Sequence, residues 1–284
     1  MKAIKMILLC AASGALGFAQ LVGVPPDGNH IVGEYVGAKT PGPRAALLGQ
    51  SDTILPHIAT GGGWETVMVI VNLSTVSVDF TQRFFNQSGA PMQVTFRSYP
   101  DLTLTTTSVA AGHLAPGQSF NFSLFDSTPA TQVGWSSLSY NATNARLGAY
   151  AIFRQFRPSG QSFEALVPVS AFDDYKFFMP FDNIQGFITA IALANPASNL
   201  TGHVTITAKD ITGAFISSYT LTMPPGTQQA FSLTDRMPAL ANRLGTLYVE
   251  SDITRLSALG IRFNGNGGLA FTSVPIMNWI GMFP

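Results

Sequence analysis

The sequence predicts an all-β protein made of two tandem antiparallel β-sandwich domains. Three observations carry that prediction. Short runs of β-branched and aromatic residues alternate with turn clusters along most of the chain. Helical periodicity is nearly absent. The two halves of the sequence also align with one another, the signature of an internal duplication.

Lys2 and Lys5 precede an apolar stretch from Met6 to Leu16, and Gly17 and Ala19 supply small residues before a cleavage site. This pattern predicts a signal peptide over residues 1–19, cleaved after Ala19, and delivery to an extracellular, periplasmic or cell-surface location. The stretch is shorter than the roughly 20 apolar residues a spanning helix needs, and no later run reaches that length, so no transmembrane span is expected. Cys10 is the only cysteine, and it lies inside the signal. Leu9 stands where lipid attachment asks for a small residue, which argues against an anchor. The mature chain would then lack any thiol, and its stability would rest on packed cores.

Residues 20–50 are rich in Gly and Pro, with Pro25, Pro26, Pro41 and Pro43, and read as a leader. Strand-like runs follow at Thr66 to Asn72, Val78 to Asn86, Gln118 to Phe125 and Arg146 to Gln155. A second series occupies Ile188 to Asn195, Gly202 to Lys209, Ile216 to Met223, Gln228 to Leu233, Gly245 to Glu250 and Leu256 to Asn264. A single helical turn is expected around Pro238 to Arg243.

The two series correspond in order. Leu55 and Pro56, then Gly63, Trp64, Thr66 and Asn72, match Met179 and Pro180, then Gly186, Phe187, Thr189 and Asn195. Ser88, Gly89 and Ala90 match Thr212, Gly213 and Ala214, a hairpin-type turn in which Gly supplies a positive φ. Pro116 and Gly117 lead to Phe122, Ser123, Leu124 and Asp126 as Pro225 and Gly226 lead to Phe231, Ser232, Leu233 and Asp235. Arg146, Leu147, Ala149 and Ile152 match Arg255, Leu256, Ala258 and Ile261, and Val167 with Pro168 matches Val274 with Pro275. An insertion around Ser98 to Ala111 separates the repeats.

Each repeat runs about 100 residues, the usual size of an immunoglobulin-like sandwich. The expected domains are residues 51–170 and 176–278, joined by a short linker across Val169 to Lys176, with an apolar tail at residues 279–284. The run Leu55 to Trp64, together with Phe153–Arg154–Gln155, Leu193 to Pro196, Arg262–Phe263–Asn264 and Phe271 to Pro275, resembles exported bacterial proteins of unknown function with paired sandwich domains. The resemblance covers nearly the whole mature chain. It implies secretion and an immunoglobulin-like or fibronectin-III-like fold, and no activity.

Fifteen basic and fifteen acidic side chains cancel, and only 11% of residues are charged. An average soluble domain carries roughly 25%. With no net field to attract a polyanion, nucleic acid is excluded as a natural partner.

Catalysis needs nucleophiles, acids and bases grouped at recognisable spacing. His30, His57, His113 and His203 fall in separate segments, and neither a metal-ligand motif nor a nucleophile elbow is present. No enzyme activity, cofactor or metal is therefore expected. Gly61, Gly62 and Gly63 precede a strand rather than a helix, so they read as a turn and not a phosphate cradle. Asp126, Asp235, Asn72 and Asn195 recur between the repeats and read as turn-closing side chains. Asp173, Asp174, Asp182 and Asn183 surround the junction, where a solvated acidic hinge competes with a calcium site.

Trp64 has Phe187 as its counterpart, the exchange a core position tolerates. Trp135 and Tyr140 have no such constraint and are the candidate ligand contacts, as stacking rings for a sugar. Asn-x-Ser/Thr triplets at Asn72, Asn121, Asn141 and Asn199 follow from composition. Trp279, Ile280, Met282 and Phe283 could dock on the chain's own domain, another protein or an outer membrane. Two functions follow as expectations: a non-enzymatic structural or adhesion-type protein whose partner is an extracellular or envelope protein, or a glycan-binding module using exposed aromatics. Oligomeric state is open at this level.

Overall fold

The computed structural model describes residues 53–140, 144–157, 159–171, 175–252, 255–265 and 270–278. The signal, the leader, the apolar tail, Asn141, Asp173 and Asp174 lie outside them. The described chain is all-β, with four antiparallel sheets pairing into two sandwich-like bodies.

The first repeat contributes β1 (Thr53–Thr60), β2 (Trp64–Asn72), β3 (Val78–Asn86), β4 (Val94–Ser98), β5 (Leu104–Thr107), β6 (Val109–Leu114), β7 (Ser119–Leu124), β8 (Gln132–Tyr140), β9 (Leu147–Phe156), β10 (Ser162–Pro168) and β11 (Ser170–Ala171). Sheet I has the order β11-β1-β8-β3-β6 and sheet II the order β10-β9-β2-β7-β4-β5. The second repeat contributes β12 (Lys176–Asp182), β13 (Phe187–Ala194), β14 (Gly202–Asp210), β15 (Phe215–Met223), β16 (Gln228–Ser232), β17 (Leu244–Ser251), β18 (Ser257–Asn264), β19 (Phe271–Val274) and β20 (Met277–Asn278). Sheet III runs β15-β14-β17-β12-β20 and sheet IV runs β16-β13-β18-β19.

Every strand pairing of the second body has a counterpart in the first. β12–β17, β13–β16 and β14–β15 repeat the nested pairs β1–β8, β2–β7 and β3–β6. The closing strands repeat too, since β20 lies beside β12 as β11 lies beside β1. The element without a counterpart is the β4–β5 hairpin, which holds the edge of sheet II. The expected helical turn is a 3-10 turn at Pro238–Leu240, and a further turn, α1 (Leu233–Arg236), precedes it.

Several strands lack the apolar signature that marks the others. β5 is Leu-Thr-Thr-Thr at an exposed sheet edge, so packing demands little of it. β1 and β12 each carry a proline. Pro56 lies where the β1–β8 register shifts between Leu55 and Ile58, and Pro180 pairs with Thr246 on one side beyond the end of the two-residue β20. Proline is tolerated at both kinds of place because no ladder amide is missed there.

The cores follow strand alternation. Met68, Ile70, Phe84, Phe122, Leu124 and Phe153 fill the first body, and Phe177, Met179, Ile206, Leu247 and Val249 the second. Trp64 is buried and packs against Phe271 of the second repeat, ring centroids 5.3 Å apart.

β13 departs from alternation. From Thr189 to Ala194 it is buried on both faces. Ile191 and Leu193 enter the second core, while Ala190 and Ala192 join the core of the first body and Ala194 packs with Ile54 and Trp135. The outer face of sheet IV is thus covered by the first sandwich. Alanine at the outward positions keeps that face flat and lets the two bodies approach closely. Among the described residues no helix is long and apolar enough to cross a membrane.

Candidate functional site

The polar groups that most need explanation lie at this junction. In β1, Pro56 and His57 together stand opposite the single residue Trp135 of β8, because Leu55 pairs with Ser136 and Ile58 with Gly134. Such a bulge re-aims a side chain. It carries the His57 ring against the second repeat, where it is 1% exposed. A small cavity there is lined by His57, Ala190, Ala192, Ala230, Leu259 and Ile261. Phe153 meets the ring edge-on at 5.7 Å.

Gln228 of β16 places its Nε2 at 2.9 Å from His57 Nδ1. With the Gln amide so oriented, Nδ1 accepts and the ring proton sits on Nε2. His57 Nε2 and Gln228 Oε1 are both buried without a hydrogen-bond partner. Burial lowers the His57 pKa from 6.5 to about 4, since no carboxylate of the lining offsets the loss of water. The ring is therefore neutral at pH 7.

Three further contacts close the junction. Trp135 stacks on Phe85, centroids 4.4 Å apart and planes 21° from parallel, and its Nε1 donates to the Gly226 carbonyl at 2.8 Å. The turn at Gly89 meets the turn at Gly226 backbone to backbone, and a Cβ on Gly89 would stand 2.7 Å from the Gly226 oxygen. The Gln228 backbone N–H also donates to the Gln87 carbonyl at 3.0 Å.

This placement corrects the expectation for Trp135. It is 4% exposed, so its ring and its N–H serve the junction and present no face to a sugar. Tyr140 is half-buried against the first core, beside Phe80 across the strand. The other candidates are separate. His113 pairs with Asp79 at 2.7 Å and His203 with Asp252 at 2.8 Å, both on exposed surface.

The recurring residues hold turns. Asn72 Nδ2 donates to the Val76 and Leu114 carbonyls, and Asn195 Nδ2 donates to those of Leu200 and Met223. Asp126 accepts from Thr128 and Gln132. The Thr212 hydroxyl and amide hold the Asp210 carboxyl below its usual range. Gly61, Gly62 and Gly63 all take positive φ in the turn from β1 to β2. Asp182 is paired with Arg262 at 2.8 Å, and among the described residues no group of three or more His, Cys, Asp or Glu is assembled as a cation site.

The remaining polar network lies on the outer face of sheet II, where Arg154 bridges buried Glu65, at 3.0 Å, and half-exposed Glu164. One aromatic pair stays partly open: Phe178 and Tyr248 on the outer face of sheet III, centroids 5.2 Å apart, beside a shallow groove with Lys209, Asp210 and Thr246.

His57 and Gln228 were missed by sequence reasoning. The signal available was the apolar run interrupted only by His57 around Pro56 and the alanines of β13, which mark strands covered on two faces without showing what covers them. No protein-family model matches the chain, and no curated protein or solved structure matches it either.

Proposed function

We propose that the protein is an exported, non-enzymatic structural or adhesion-type protein, in which two sandwiches docked as one body present their outer sheet faces to a partner outside the cell. The observation that carries this reading is where the polar side chains are spent. The buried His57–Gln228 pair, the Trp135 N–H and the recurring asparagines all hold the fold or its junction. Export is supported by the charged, apolar and small-residue order of residues 1–19. Fractionation of cells expressing the tagged full chain, followed by a pull-down from the native envelope, tests it. Recovery outside the cytoplasm with a stable protein partner supports the reading, and a cytoplasmic, full-length product overturns it.

A second reading, glycan binding, is favoured by the Phe178–Tyr248 pair beside Lys209 and Asp210, an apolar ring surface flanked by polar groups. Specific binding on a glycan array that is lost in Tyr248→Ala would establish it over the first.

A further inference from the structure

The duplication places one sheet face in two different situations. Thr66 and Asn72 of β2 match Thr189 and Asn195, so the outward residues Val67, Val69 and Val71 occupy the positions of Ala190, Ala192 and Ala194. The neighbouring strand agrees: Val67 pairs with Ile152 as Ala190 pairs with Ile261, and Val69 with Tyr150 as Ala192 with Leu259. In the second repeat these positions form the buried junction. In the first they are partly exposed, and Leu166 extends this apolar patch at 56% exposure, next to the Arg154 network on the same face. A solvent-facing sheet ordinarily sets polar residues at such positions.

We propose that the outer face of sheet II is a docking surface for another copy of this chain, and that it receives the β12–β20 edge of that copy's second sandwich. The occupant is set by what the chain already does. Inside one molecule, the equivalent face of sheet IV receives β1 and β11. β12 and β20 are the counterparts of β1 and β11, and Met277, paired with Phe178, is 47% exposed on that edge. The face and the edge lie on different sandwiches, so the contact is heterologous. Repeated from molecule to molecule, it builds a ring where the rotation closes and an open head-to-tail chain where it does not. The proposal concerns the folded protein alone and does not rest on where the cell delivers it.

Sedimentation velocity of the purified full chain over rising concentration tests the proposal. The expected result is a mass that rises with concentration from monomer into head-to-tail oligomers. Ile152→Lys, which sets a charge in the face, and Met277→Asp, which sets one on the edge, should each weaken association by about tenfold or more. Leu166→Asp repeats the face test at an exposed position where folding is not at stake. Mixing Leu166→Asp with Met277→Asp leaves one good face and one good edge, so a one-to-one dimer that grows no further is expected. A wild-type chain that stays monomeric at every concentration overturns the proposal. So does a closed dimer insensitive to Met277→Asp, or assembly of Leu166→Asp equal to wild type.

Discussion

His57 and Gln228, 171 residues apart in the chain, meet across the boundary of the two sandwiches with Nδ1 and Nε2 separated by 2.9 Å. The ring that makes this contact is buried, neutral and walled by alanine and isoleucine of the opposite repeat.

Acid should loosen the molecule through His57. Its folded pKa of about 4 lies below the ordinary 6.5, so between those values the unfolded chain binds the proton and the folded chain does not. Stability is complete above about pH 6.5, falls as pH is lowered towards 4, and levels off below. At about 1.4 kcal/mol per pH unit the full loss is about 3 kcal/mol. Urea denaturation of wild type and His57→Leu between pH 7 and pH 4 isolates it. Equal pH slopes for the two proteins would contradict the assignment.

Trp135 should matter more as a structural than as a binding residue. Trp135→Ala removes a buried ring and is expected to cost about 3–5 kcal/mol. Trp135→Phe keeps most of the stacking on Phe85 but leaves the Gly226 carbonyl without its donor, a cost of about 1–3 kcal/mol. Chemical denaturation of both variants checks this. Wild-type stability of Trp135→Ala would mean that the ring is not part of the junction, and wild-type stability of Trp135→Phe that its N–H is not.

Gly89 is required by its surroundings. Its φ is +84°, and an added Cβ would press on the Gly226 oxygen. Gly89→Ala should destabilise by about 1–2 kcal/mol from the backbone alone, and more from the displaced turn. Gly213→Ala, at the matching turn with open space around it, should show only the backbone cost. Thermal melts of the pair make the comparison, and an identical loss in both would contradict the close approach.

Matching positions should respond unequally to the same added bulk. Ala194 is fully buried beside Ile54 and Trp135, so Ala194→Leu overpacks the junction and should cost about 1–3 kcal/mol. Its counterpart Val71 faces outward, and Val71→Leu should stay within about 0.5 kcal/mol of wild type. Denaturation midpoints decide, and equal effects would mean the alanine face is not the contact.

Much of this architecture is legible in the sequence because duplication writes it twice. Phe122–Ser123–Leu124 against Phe231–Ser232–Leu233 fixes which strands correspond, and Asn72 against Asn195 identifies the bonds that close the turns. The junction is harder to read. Ala190, Ala192 and Ala194 are small residues in an apolar run, and nothing local distinguishes cover by a second sandwich from burial in a strand's own core. Trp135 illustrates the same limit. Its counterpart is Thr246, and that difference marks a place where the repeats serve different ends. The difference reflects docking between sandwiches, which depends on residues nearly a hundred positions away at Gly226. The hydrogen bonds of His57 and Gln228 are longer-range still, and the bulge at Pro56 that aims the ring is a feature of pairing rather than of composition.

Scanning calorimetry of the full chain tests the central claim, that the two repeats are docked into one body, most directly. Docking through sheet IV predicts a single transition whose calorimetric and van't Hoff enthalpies agree, and which separates into two in Trp135→Ala. Two independent transitions in the wild-type protein, unmoved by Trp135→Ala, would contradict it.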